Sequence, residues 1–125
     1  MKFGIAAVLA LVSFPATAQT MNAETFNQRI QALKAKGAMA LFSGGEIKAL
    51  TAEGQAAGKG ARAQQAAAAK AGQKPRFCPP DGPQKMGSDE FMTRLAAIPQ
   101  AERQKIDMTE AMTRMLAVKF PCKTS

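Results

Sequence analysis

The chain is predicted to be all-α: a small bundle of three or four helices closed by one disulfide. Three observations lead there. Apolar residues recur at i, i+4, i+7 in well-separated segments, and no run alternates with the period of a strand. Alanine, the best helix former, fills much of residues 46–71. Finally, the two cysteines, Cys78 and Cys122, sit in a small chain that opens with an export signal, and exported cysteines usually pair.

The signal comes first. Lys2 precedes a run over residues 3–14 that is apolar apart from Gly4 and Ser13, and Pro15 breaks it. Ala16-Thr17-Ala18 then presents small residues where a signal peptidase reads them. Residues 1–18 are therefore expected to be a signal peptide, leaving 19–125 as a single helical domain in a periplasm or outside the cell. The run is too short to span a bilayer, which takes about 20 apolar residues, so no stable membrane span is expected after cleavage.

In the mature chain Asn22 is expected to cap a helix carrying Glu24 in its first turn and Phe26, Ile30 and Leu33 as its apolar stripe. Gly37 stops it, and residues 38–42 add a turn bearing Met39, Leu41 and Phe42. Ser43-Gly44-Gly45 breaks the chain, and Ser43 with Glu46 matches a capping box for the next helix. That helix, 46–71, is interrupted in pattern by Gly54, Gly58 and Gly60. Its small residues permit close approach of another helix; equally, Gly58-Lys59-Gly60 reads as a hinge. Pro75, Pro79, Pro80 and Pro83 make residues 72–87 a non-helical strap that holds Cys78. Residues 88–122 form a helical pair. Ser88 is expected to cap the first, with Phe91, Leu95 and Ile98 inward. Pro99 precedes a single helix over 100–119 with Ile106, Met108, Met112, Met115 and Leu116 inward. Joining Cys78 to Cys122 closes a loop of roughly 45 residues, contributing about 4 kcal/mol on the chain-entropy model.

Composition excludes much chemistry. The chain has no histidine, tryptophan or tyrosine, so a Ser-His-Asp or Cys-His site cannot be assembled within it. Two cysteines fall short of a structural zinc site, and no metal or other cofactor is expected. Gly58-Lys59 fails the phosphate-loop spacing, and neither Ser43 nor Ser88 is followed by a lysine three residues on. Asp107 and Glu110 share a helix face but are more simply local partners of Arg114 or Lys105 than a catalytic pair. Met108, Met112 and Met115 suit core packing better than a copper(I) site. The protein is accordingly expected not to be an enzyme.

Charge is the remaining signal: 17 Lys and Arg against 9 Asp and Glu, a net +8. Lys59, Arg62, Lys70, Lys74 and Arg76 form a stretch without an acid, a candidate surface for anionic polymers or lipid head groups. Nucleic acid is not expected, since aromatic residues do not interleave the cations.

Phe77-Cys78-Pro79-Pro80, a capped short helix ending at Ile98-Pro99, and a helix closed by Phe120-Pro121-Cys122 together resemble the Rap/Tai family of small exported bacterial immunity proteins. The similarity covers residues 76–122. It implies a disulfide-bonded helical fold in the periplasm, with Cys78 and Cys122 as the bridge and Pro79 and Pro121 as flanking turn residues. It also implies inhibition of a peptidoglycan amidase of type VI secretion, often by a homodimer. The expected function is thus non-catalytic binding of another envelope protein, the strap's Asp81 and Lys85 being candidate contact residues. The alternative is a basic adaptor on anionic envelope polymers or lipid head groups.

Overall fold

The computed structural model describes residues 20–123, and the signal segment expected over 1–18 lies outside them. Helix α1 (Ala23–Ala35) begins at the expected cap. The Asn22 side-chain oxygen accepts the backbone N–H of Glu24 and Thr25 at 3.0 and 3.1 Å, satisfying donors that have no partner inside the helix. The same residue ties the start of α1 to residues 104–107, its side-chain N–H donating to Gln104 O at 3.0 Å. Asn22 pairs with Asp107 in an isolated backbone bridge, the Ala23 N–H donating to Ile106 O and the Met108 N–H to Met21 O at 2.9 and 2.8 Å. No strand forms among the described residues.

At φ 55°, Gly37 turns the chain out of α1 into a 3-10 helix, Gly37–Phe42. Helix α2 (Gly44–Lys70) then runs for 27 residues without a break, so the glycines are not a hinge. Gly60 instead makes room. A Cβ there would meet Thr109 Cγ2 and Oγ1 at 3.1 Å, closer than atoms comfortably stand. The expected capping box does not form, because Ser43 makes no side-chain cap bond and Glu46 is taken by Arg29 of α1. A charge-assisted pair with an Arg N–H at 2.6 Å outcompetes a bond to a neutral amide.

Helix α3 (Ser88–Ala97) is capped by Gly87, and Ser88 is its first helical residue with no capping bond, which corrects the expected role of Ser88. Leu95 and Ile98 are buried as the spacing requires, and Phe91 meets Phe26 edge-on with centroids 5.7 Å apart. The helix expected over 100–119 is two: α4 (Gln100–Arg103) and α5 (Met108–Lys119). Two interactions produce the break. Asp107 acts as a cap, accepting the Glu110 N–H at 2.8 Å, rather than as a face partner of Glu110. Arg103 turns inward to donate to Glu24 at 2.6 Å, with the two side chains only 10% and 9% exposed, and to the carbonyl oxygens of Ala96 and Ile98. The described residues therefore hold five α-helices and one 3-10 helix in an all-α fold.

The methionine stripe is core. Met108 and Met115 are fully buried and Met112 nearly so, beside Leu95, Phe26 and Ala57. Cys78 and Cys122 are bonded, with Cα atoms 4.9 Å apart, and the Cys78 N–H donates to Phe120 O at 2.8 Å beside the bridge. Gln65 of α2 holds the strap from the other side. Its amide donates to Phe77 O at 2.8 Å and accepts the N–H groups of Arg76 and Phe77 at 3.2 Å each, so Phe77 is pinned into the core.

Candidate functional site: a cationic apolar groove

Helix α2 packs its Ala and Gly stripe on α5, and this leaves its other side facing α1, α3 and the strap. On that side the central residues are small: Thr51, Gly54 and Gly58. A Cβ at Gly54 would only graze Phe91 Cζ at 3.9 Å, so the space is not filled from α2. Proline keeps the strap out of a helix, and the strap walls this space. The result is a groove of about 1120 Å³, somewhat above the roughly 300–1,000 Å³ usual for small-molecule sites.

Leu33, Ile47, Met86, Phe91, Met92 and Leu116 give it part-exposed apolar surface, over the buried core residues Phe26, Ile30, Leu50, Phe77 and Met112. Lys34, Lys59, Arg62, Lys85 and Lys119 line its rim, and among the described residues no carboxylate lines it. Of these five, only Lys119 forms an ion pair within the described residues. Its ammonium donates to Glu90 at 2.7 Å and to Lys85 O at 3.1 Å, fixing the strap's end to α5. Those bonds from Lys119, joined by Arg94, hold the Glu90 carboxyl below the usual carboxylate range.

The cations expected to form one face are divided by the fold. Lys59 and Arg62 stand on the groove rim, whereas Lys74 and Arg76 line a smaller cleft of about 270 Å³ beside Gln65 and Thr113. Lys70 is exposed in the last turn of α2. Arg76 is engaged within the molecule: it donates two bonds to Glu110 at 2.6 and 2.7 Å. That fork raises the Arg76 pKa and depresses the Glu110 carboxyl, which Arg114 also contacts at 3.2 Å. Asp81 and Lys85 are both exposed on the strap, but only Lys85 joins the groove.

Lys34, Lys119 and Gln65 were not among the candidate residues of the sequence. Lys34 there reads as a helix-end cation and Lys119 as the last residue before a stop. No linear spacing places residues 34, 59, 62, 85 and 119 on one rim. Among the described residues no cluster of three or more His, Cys, Asp or Glu could hold a metal, and no helix is long and apolar enough to cross a membrane. No family model, curated protein or solved structure matches the chain.

Proposed function

We propose that this chain is an exported, non-catalytic binding domain whose groove receives an acidic amphipathic helix of a protein partner in the cell envelope. One observation carries the reading: part-exposed apolar surface under a rim of five cations, four of them without an ion pair among the described residues, and no carboxylate in the lining. A helix laid in such a groove buries its apolar face on that surface and sets its acids against the rim. Methionine supports the same occupant, since the part-exposed Met86 and Met92 in the lining can adapt to a partner's side chains. The lining has no histidine, free thiol or carboxylate to serve as a general base. The resemblance of residues 76–122 to the Rap/Tai family makes a peptidoglycan amidase the first partner to try, with the domain as its inhibitor.

The test is titration with a synthetic helix carrying leucines on one face and glutamates on the other, alongside a lysine-faced control. The acidic helix is expected to bind and the control to fail. Lys59→Glu with Arg62→Glu is expected to weaken binding at least about tenfold, because like charges then face each other. Lys70→Glu with Lys74→Glu is expected to leave it within about twofold, because these residues lie off the rim. If the second pair weakens binding as much as the first, the basic-adaptor alternative gains and the groove reading falls.

A further inference from the structure

At the opposite end of α1 from its cap, the 3-10 helix Gly37–Phe42 contributes nothing to the core. Its large side chains point away: Met39 is 63% exposed, Leu41 82% and Phe42 84%. In so small a domain, three neighbouring large apolar side chains left in water require an explanation. Their surroundings supply it. Lys34 and Lys36 precede the tip, Lys48 follows it, and all three are exposed. Residues 25–45 contain no Asp or Glu, and the next acid, Glu46, is held by Arg29.

We propose that this tip is a membrane-contact site, inserting Met39, Leu41 and Phe42 into the interface of a bilayer that contains anionic phospholipid. Exposed apolar side chains flanked in the chain by exposed lysines match the boundary between acyl chains and anionic head groups, where lysine stems lie along the apolar layer and their ammonium groups reach the phosphates. The charge argues against a second copy as the occupant, because tip-to-tip contact would gather the same three lysines from each molecule with no acid between them. Lys34 also stands on the groove rim, so insertion would hold the groove mouth close to the bilayer surface. This inference is independent of what the groove binds.

The test is flotation of the exported, processed protein, its N-terminus verified, with vesicles of phosphatidylglycerol and phosphatidylethanolamine and with vesicles of phosphatidylcholine alone. Partitioning to the anionic vesicles that weakens as salt rises is expected. Leu41→Ser with Phe42→Ser is expected to lower it at least about tenfold, since less apolar area enters the interface. Lys36→Gln with Lys48→Gln is expected to lower it roughly tenfold through lost attraction to the lipid. Single Leu41→Ala and Phe42→Ala variants, checked for unchanged circular dichroism, are expected to give smaller losses in the same direction. Three results would overturn the site: no flotation with anionic vesicles, equal partitioning of the serine variant, or a dimer in sedimentation that the serine variant dissolves.

Discussion

Helix α2 has two working sides, and they are built on opposite terms. Toward α5 it presents Ala57, Gly60 and Ala61, and the helices close until Gly60 touches Thr109. Toward α1, α3 and the strap it presents Gly54 and Gly58 among larger residues such as Leu50, Gln55 and Arg62, yet a Cβ at Gly54 would find only Phe91, at 3.9 Å. Small residues thus make a tight seam where a partner helix is free to approach. They make a cavity where the facing wall is held off. What holds it off is the strap, fixed by the Cys78–Cys122 bond, by Gln65 and by Lys119. The groove therefore follows from where the strap is anchored more than from what lines it.

Releasing the strap is the strongest way to break that comparison. Cys78→Ser with Cys122→Ser is expected to cost about 4 kcal/mol in denaturant unfolding, the chain-entropy value for a 44-residue separation. Hydrogen exchange should show the loss concentrated in residues 72–87, with the α2–α5 seam protected longest. Uniform loss of protection would mean that the two sides are not separable. Part of the strap's anchoring was legible in the sequence. The cap at Asn22 and the non-helical proline segment follow from local rules, and they, like the bond between the two sulfurs, stand where expected. Where local rules failed, a distant partner had taken the side chain. Glu46 leaves Ser43 for Arg29, and Arg103 leaves a continuous helix for Glu24, 79 positions away. The rim was illegible for the same reason. Lys34 and Lys119 join Lys59 only through the packing of α1 and α5 around α2.

The seam can be attacked directly. Gly60→Leu places a side chain where even a Cβ would stand 3.1 Å from Thr109, and is expected to cost about 1–3 kcal/mol as overpacking. Its stability by urea titration should fall while Gly54→Leu, which points into open groove, falls far less. Equal losses would show that the groove side is as filled as the seam.

Acid should loosen the strap before the seam. Glu110 has a folded pKa depressed by its bonds to Arg76, so its contribution is present above the unfolded value, about 4.3 for glutamate. It is lost as pH falls from there through the lower folded value. Thermal midpoints measured through this range are expected to drop, with a smaller drop in Glu110→Gln, which has no proton to gain. A parallel fall in both proteins would assign the acid sensitivity elsewhere, with Glu90 and Glu46, also depressed by cationic partners, the next residues to test.

Gly54→Ala is the smallest expected effect and the sharpest discriminator. Glycine inside a helix is destabilising by roughly 0.5–1 kcal/mol relative to alanine, and the new Cβ would lie 3.9 Å from Phe91 Cζ, an ordinary contact. Stability is therefore expected to rise by up to about 1 kcal/mol. The same methyl group takes space from the groove beneath the rim, so affinity for the acidic helix is expected to fall as stability rises. At Gly60 the alanine substitution carries the same propensity gain but meets Thr109, and no rise is expected. Opposite outcomes at two glycines six residues apart would establish that α2 keeps Gly60 for packing and Gly54 for binding. Stabilisation at both would leave the groove glycine without a reason of its own.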